Sequence, residues 1–156
     1  MNISDLLAMR ILIVDDQLDN VQLLEKILSS EGFSNVVSTT DSSRVLDLAI
    51  AFDPDLVLLD LMMPEPDGYA VLQQLVRRTP KNDFRPIMVL TADSMPEAKH
   101  RALALGAKDF LTKPVDFVES ILRISNLLET RFLYQRLQAL LAQEAPLPPR
   151  QSKNAE

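Results

Sequence analysis

Residues 56–68 read LVLLDLMMPEPDG, the stretch of the chain that says most about its fold class. The first four residues are apolar, and Asp60 follows them directly. An uninterrupted apolar run of this length, ahead of a loop with prolines and a glycine, is typical of a strand buried on both faces. Such strands occupy the centre of parallel sheets. The stretch therefore predicts a central parallel strand that ends at Asp60.

Short apolar runs that end in a polar residue recur elsewhere in the chain. They are Arg10–Val14 before Asp15 and Asp16, Ile87–Leu90 before Thr91, and Phe110–Leu111 shortly before Lys113, with a weaker strand pattern at Val36–Thr39. Between them, apolar residues at helical spacing predict helices over 18–30, 43–51, 69–77 and 96–105, and from about residue 115 onward. Strands that alternate with helices in this way predict an α/β fold with a parallel sheet covered on both faces.

The composition is that of a single globular domain. The chain has 156 residues, 47% hydrophobic and 24% charged, with a formal net charge of −6. An acidic balance argues against non-specific binding to nucleic acid or anionic lipid, because both favour basic surfaces. No apolar run reaches the roughly 20 residues that cross a bilayer, and the N-terminus lacks the basic residues of a secretory signal. With 0 cysteines, we expect a cytoplasmic protein.

Polar residues mark the carboxyl ends of the predicted strands. They are Asp15 and Asp16 after the first strand, Asp60 after the third, Thr91 after the fourth and Lys113 after the fifth. Since α/β proteins bind ligands at this edge of the sheet, we expect the five side chains to converge there. An Asp in such a position is often only a turn former or a helix cap. That explanation suffices for any one position but not for the whole set, which includes a Thr and a Lys.

Three clustered carboxylates predict a cation site. Like charges at one edge repel each other and need a cation at neutral pH. The ligand set is all oxygen, which favours a hard divalent ion such as Mg²⁺. The single histidine, His100, lies in a predicted helix away from this edge and is interpreted as solvent-facing. A carboxylate beside Mg²⁺ and the Lys113 ammonium has the chemistry of a nucleophile for phosphoryl transfer, because both cations neutralise developing charge.

Four motifs resemble the receiver domains of bacterial response regulators. They are ILIVDD at 11–16, LVLLDLMMPEPDG at 56–68, MVLTA at 88–92 and GAKDFLTKP at 106–114. Their order and spacing are similar to those of the family over about residues 10–128. The resemblance implies a flavodoxin-like (βα)5 fold, which is a doubly wound parallel sheet with strand order 2-1-3-4-5.

The same resemblance implies roles for the acidic residues. Asp60 would accept a phosphoryl group from a sensor histidine kinase or a histidine phosphotransfer protein. Mg²⁺ would be bound by Asp16, Asp60 and the backbone carbonyl of Met62, while Asp15 would act largely through water. The chain would then be a signalling module of a two-component system and not an enzyme.

The resemblance also implies which residues bind the phosphoryl group and which change conformation when it is bound. Lys113 would pair with the phosphoryl oxygens, and Thr91 would turn its hydroxyl onto the phosphoryl group. Phe110 would move into the vacated space, although core packing alone explains an aromatic residue there equally well. Ala92 is small enough for Thr91 to approach the site, and the bond between Lys113 and Pro114 is expected to be cis.

Four segments are predicted along the chain. They are an N-terminal lead-in (1–9), the receiver domain (10–128), a helical extension (129–144) and a disordered tail (145–156). Residues 126–138 resemble the linker of receivers that precede HD-GYP-type output domains. Because the apolar side chains of the extension have no obvious partner within the chain, we expect a homodimer or docking to an output protein. The helix over 96–105 is a second candidate for that contact, although its charges also fit a solvated face.

Two other functions remain open on the residues alone. A phosphatase of the haloacid-dehalogenase type also places a nucleophilic Asp and Mg²⁺ on a parallel sheet, but it requires Asp-x-Asp after the first strand, whereas residues 15–17 are Asp-Asp-Gln. A non-catalytic helix-mediated interaction module would leave Asp60, Thr91 and Lys113 unexplained. Direct DNA binding is not expected, since no basic recognition helix follows the receiver.

Overall fold

A computed structural model describes residues 1–92 and 96–144 of the protein. Its elements, in chain order, are α1 (Ile3–Leu7), β1 (Arg10–Val14), α2 (Leu18–Ser30), β2 (Asn35–Thr39), a 3₁₀ turn (Ser42–Arg44), α3 (Val45–Phe52), β3 (Leu56–Asp60), α4 (Gly68–Arg78), β4 (Ile87–Ala92), α5 (Pro96–Leu105), β5 (Asp109–Lys113) and α6 (Phe117–Gln143). The predicted alternation of strands and helices is therefore present, with an additional short helix at the N-terminus.

The five strands form one parallel sheet in the order β2-β1-β3-β4-β5. This is the predicted flavodoxin-like order, in which the chain reverses direction across the sheet between β1 and β3. Val14 is paired with Leu59, and Asp60 is paired with Leu90. The register thus brings the residues that follow β1, β3 and β4 to the same edge of the sheet.

Each face of the sheet packs on its own layer of helices. On one face, α3, α4 and α5 cover the side chains of Leu12, Val14, Leu59 and Val89. On the other face, α2 and α6 cover those of Ile11, Ile13, Leu58 and Leu90, which are all fully buried. Because β1, β3 and β4 bury both of their faces, they contain no alternating polar residues.

Helix α1 lies in the segment predicted as a lead-in. Asn2 and Asp5 form a reciprocal capping box that starts the helix, in which each side chain accepts a hydrogen bond from the backbone of the other. Leu6 and Leu7 pack against the core layer that contains α2 and α6. The lead-in is therefore folded onto the domain.

The extension packs on the domain, contrary to the expectation that it has no partner within the chain. Arg131 of α6 is buried, and its guanidinium contacts the carboxylates of Asp55 and Asp83 at 3.3 and 2.8 Å. The ring of Tyr134 lies 5.9 Å from that of Phe84. These contacts hold the second half of α6 across the edge of the sheet where the strands begin, opposite the edge that carries Asp60.

Other apolar side chains of the 27-residue helix α6 remain exposed. They include Leu122, Leu133, Leu137, Leu140 and Leu141. The tail predicted over residues 145–156 lies outside the described residues. None of the helices within residues 1–92 and 96–144 combines the length and the hydrophobicity that crossing a bilayer requires.

Candidate functional site

The carboxylates of Asp15, Asp16 and Asp60 meet at the carboxyl edge of the sheet. One oxygen from each lies within 4.8 Å of the others. Asp15 and Asp60 are buried, and Asp16 is partly exposed. The first two residues follow β1 directly, and Asp60 is the last residue of β3, which is the neighbouring strand in the sheet. The pairing of β1 with β3 therefore creates the acidic cluster, as the sequence predicts.

Lys113 supplies the positive charge of the site. Its Nζ donates to Asp15 Oδ2 at 3.0 Å and lies 3.4 Å from Asp60 Oδ1. The other Asp15 oxygen, Oδ1, accepts a hydrogen bond from the backbone N–H of Gln17 at 2.9 Å. Asp15 is thus held between the start of α2 and the end of β5. It fixes the Lys113 ammonium beside Asp60.

Asp60 is the residue whose protonation is most altered by its surroundings. Burial raises its pKa to about 7, and the negative charge of Asp15 acts in the same direction. The backbone N–H of Met62, which donates to Asp60 Oδ1 at 3.1 Å, and the Lys113 ammonium both lower this pKa. Burial dominates, so the Asp60 carboxylate needs more positive charge than Lys113 alone provides.

Two buried polar atoms at this edge have no hydrogen-bond partner among residues 1–92 and 96–144. They are Oδ1 of Asp16 and Oγ1 of Thr91. A buried polar atom without a partner costs about 1–3 kcal/mol, and native proteins contain few of them. Their position, one in the acidic cluster and one at the end of β4, is what a site for a cation and an oxyanion requires. The residues present therefore fit a divalent cation bound by carboxylate oxygens.

Gly68 is a structural part of the site that the sequence analysis did not single out. A Cβ atom at this position would lie 2.4 Å from the backbone oxygen of Asp60 and 2.4 Å from the Cα of Leu61. The start of α4 therefore packs directly on the backbone that carries Asp60, which only glycine allows. The sequence signal that could have indicated this role is the Asp-Gly pair at the start of α4.

The remaining residues of the predicted set lie around this cluster. Met62 and Ala92 are exposed at the same edge, and the ring of Phe110 is half-buried on β5. The peptide bond between Lys113 and Pro114 is cis, and so is the bond between Glu65 and Pro66. His100 is exposed on α5 and does not belong to the cluster.

The response regulator receiver domain family matches residues 11–125, which are most of the chain. The match contains all of the sheet except Arg10, and it contains the acidic cluster, Thr91 and Lys113.

The chain belongs to the response regulator receiver family.

Curated relatives agree with this assignment of the receiver. The response regulator PleD of Caulobacter vibrioides is 39% identical over 126 residues, which are 81% of this chain and 27% of PleD. The response regulator SaeR of Staphylococcus aureus is 38% identical over 118 residues, which are 76% of this chain and 50% of SaeR. The chain thus matches about half or less of the length of these relatives.

Solved structures share the receiver fold. The receiver domain of NtrX from Brucella abortus superposes with a TM-score of 0.70 at 31% identity, over 77% of this chain and 98% of that domain. The receiver is accordingly a module of two-component signalling.

Proposed function

We propose that the receiver accepts a phosphoryl group on Asp60 from a sensor histidine kinase or a histidine phosphotransfer protein. The observation that carries this proposal is the position of Asp60, buried between two other carboxylates and 3.4 Å from the Lys113 ammonium. An Asp60 oxygen attacks phosphorus, a P–O bond forms, and the P–N bond to the donor histidine breaks. The electron pair of the broken bond returns to the imidazole nitrogen.

Asp15, Asp16 and Asp60, together with the backbone carbonyl of Met62, would hold Mg²⁺ in this proposal. The metal would neutralise charge on the phosphoryl oxygens as they approach the acidic cluster. The support for it is the all-oxygen ligand set and the unpartnered Oδ1 of Asp16. Asp15 is already bonded to Lys113 and to the backbone of Gln17, which favours a role through water over direct ligation.

Lys113 and Thr91 would bind the phosphoryl oxygens. Lys113 donates to Asp15 beside the Asp60 carboxylate, and the buried Thr91 hydroxyl has no partner in the part of the protein that the structure describes, so an oxyanion would satisfy it. Turning of Thr91 toward the phosphoryl group, past the small side chain of Ala92, would let the ring of Phe110 move inward. We infer that this displacement is the signal, and that the receiver acts as a signalling module and not as a metabolic enzyme.

The exposed apolar residues of α6 would contact a second protein chain. Leu133, Leu137, Leu140 and Leu141 are each more than half exposed, and Arg131 fixes the helix that carries them. We propose that they pack against a second copy or an output protein, with α5 as the other candidate surface. Sedimentation velocity with and without beryllofluoride distinguishes these cases: a mass change on activation indicates a second copy, and a constant mass indicates a separate partner.

Phosphorylation at Asp60 can be tested with a small-molecule acyl phosphate as the donor. Intact-mass spectrometry should show one added phosphoryl group in the wild type when Mg²⁺ is present and none when it is removed with a chelator. Asp60→Asn should abolish the addition. Asp19→Asn, an exposed carboxylate in the first turn of α2, is the matched control and should be labelled like the wild type. Labelling that persists in Asp60→Asn would overturn the proposal.

A further inference from the structure

Two cations that come from different helices lie over the ring of Phe110. Lys99 Nζ of α5 is 4.8 Å from the ring centroid, and Arg123 Cζ of α6 is 5.4 Å from it. Both distances are within the roughly 6 Å over which a cation is attracted to the face of an aromatic ring. Phe110 is therefore held by electrostatic contacts in addition to its packing on the core.

Arg123 is itself fixed by two carboxylates. Its Nη1 donates to Asp109 Oδ1 at 2.7 Å, and its Nε donates to Glu119 Oε1 at 3.0 Å. Asp109 precedes Phe110 on β5, so the same strand carries both the aromatic ring and an anchor for the cation above it. The Phe110 ring thus contacts one cation from α5 and one from α6, and the second of these is bonded to the strand that carries the ring.

We propose that Lys99 and Arg123 are positioning residues that hold Phe110 in its partly buried orientation and so oppose the phosphoryl-bound state. This inference rests on the proposed function, in which the ring moves inward when Thr91 engages the phosphoryl group. Inward movement withdraws the ring from both cations. A contact present in only one of two conformations shifts the equilibrium toward that conformation.

The expected magnitude follows from the strength of such contacts at partly exposed sites. Removing one cation should shift the equilibrium between the two positions of the Phe110 ring toward the inward one by about two- to five-fold. Removing both cations should shift it further. Any ligand that requires the inward state should then bind more tightly by the same factor. Lys99 and Arg123 lie outside the acidic cluster, so their removal leaves the ligand-binding oxygens unchanged.

Lys99→Met tests the proposal, because methionine keeps most of the length of the side chain and removes its charge. The affinity of the Mg²⁺-loaded protein for beryllofluoride, measured by NMR titration, should rise about two- to five-fold. Lys99→Arg should retain the wild-type affinity. Lys81→Met removes a charge from an exposed lysine between α4 and β4 and should have no effect.

A double-mutant cycle separates the contact with Phe110 from any other effect of the substitution. In a Phe110→Leu background, which removes the aromatic ring, Lys99→Met should no longer alter beryllofluoride affinity. An unchanged affinity in Lys99→Met alone, or an equal effect with and without the ring, overturns the proposal.

The Hε protons of Lys99 report the contact without any phosphate analogue. In the unliganded protein the Phe110 ring current should shift them upfield, and Phe110→Leu should abolish that shift. If the wild-type protein shows this shift but does not bind beryllofluoride, the proposed function is wrong. The proposed effect of Lys99 on the phosphoryl-bound state is then wrong as well. A wild type that binds beryllofluoride but lacks the shift refutes only the role of Lys99.

Discussion

Arg131 Nη1 lies 2.8 Å from Asp83 Oδ1, at the edge of the sheet opposite the acidic cluster. The same guanidinium contacts Asp55 through Nε and donates to the backbone carbonyl of Phe84. Asp55 also accepts a hydrogen bond from the backbone N–H of Arg10 at 2.9 Å. One buried side chain of α6 therefore joins the segments that precede β3 and β4, and Asp55 links them to the first residue of β1.

Arg131→Met should destabilise the protein by about 3–5 kcal/mol. The substitution leaves the Asp55 carboxylate without a guanidinium partner and leaves Asp83 paired with Arg85 only, and a buried charge that has lost its partner is strongly unfavourable. Urea denaturation followed by circular dichroism measures the free energy of unfolding. Arg136→Met provides the control, because Arg136 lies on the same helix at an exposed position. It should change this free energy by less than about 0.5 kcal/mol.

The double variant with Asp55→Asn added to Arg131→Met should recover part of the loss, because the uncompensated charge of Asp55 is gone. If Arg131→Met is no more destabilising than Arg136→Met, the ion pairs contribute little to stability.

The affinity for Mg²⁺ should rise about ten-fold between pH 6 and pH 8. With the pKa of Asp60 raised to about 7 in the metal-free protein, a proton occupies part of the site in the lower half of this range and competes with the metal. Isothermal titration calorimetry at several pH values measures the change. Asp60→Asn should bind Mg²⁺ more weakly, and its affinity should depend less on pH. The prediction is contradicted if the Mg²⁺ affinity of the wild type depends on pH as little as that of this variant.

The same pKa shift predicts how stability changes with pH when no metal is bound. The folded protein keeps the Asp60 proton up to about pH 7, whereas the unfolded chain loses it near its ordinary pKa of about 3.9. The contribution of Asp60 to the free energy of unfolding therefore falls as pH rises between these values. Asp60→Asn should be more stable than the wild type at pH 8 in chelator, and this difference should shrink toward pH 4. Denaturation in urea at both pH values tests this.

Gly68→Ala should destabilise the receiver, although the same change within a helix is ordinarily favourable by about 0.5–1 kcal/mol. The added Cβ would lie 2.4 Å from the backbone at Asp60 and Leu61, so α4 must move away from β3. Overpacking of this kind costs about 1–3 kcal/mol, occasionally more. Thermal unfolding should show a lower midpoint, and phosphorylation should slow because Asp60 is displaced. A midpoint above that of the wild type would show that the backbone moves easily to accommodate the added Cβ.

Thr91→Val should leave the stability of the unphosphorylated protein unchanged or raise it by about 1 kcal/mol. The usual loss from this substitution reflects a broken hydrogen bond, and the buried Thr91 hydroxyl makes none with the described residues of the chain. The same variant should bind beryllofluoride more weakly, because the hydroxyl is the proposed partner of the phosphoryl group. A clear loss of stability in the ligand-free state would indicate a hydrogen bond to Thr91 in solution.

The sheet and its acidic edge were predictable because local signals determine them. Each central strand is an apolar run that ends in a polar residue, and parallel pairing brings those ends together, as at Asp16, Asp60 and Thr91. Gly32 follows the C-cap of α2 with a positive φ of 95°, a conformation that glycine adopts without strain and that commonly ends a helix. The helix predicted from about residue 115 begins at Phe117, because Asp116 caps it.

The packing of the extension was not predictable in the same way. Arg131 bonds to residues 48 and 76 positions away in the chain, and no periodicity of α6 indicates such partners. A lone arginine among leucines looks like a solvated residue in the sequence. Helix α1 escaped prediction because five residues are too few to show a helical period, and its start is set by one capping box.

The buried position of Arg131 affects how this chain can be divided for experiments. The family match ends at residue 125, six residues before Arg131. A fragment cut at the end of the match would retain every residue of the acidic cluster and yet remove the guanidinium that Asp55 and Asp83 share, which leaves Asp83 with Arg85 only. If such a fragment were poorly expressed or weakly phosphorylated, the cause would be its lower stability and not the chemistry of Asp60. Recombinant versions of this receiver should extend at least through Gln138, whose side chain bonds to the backbone of Asn82.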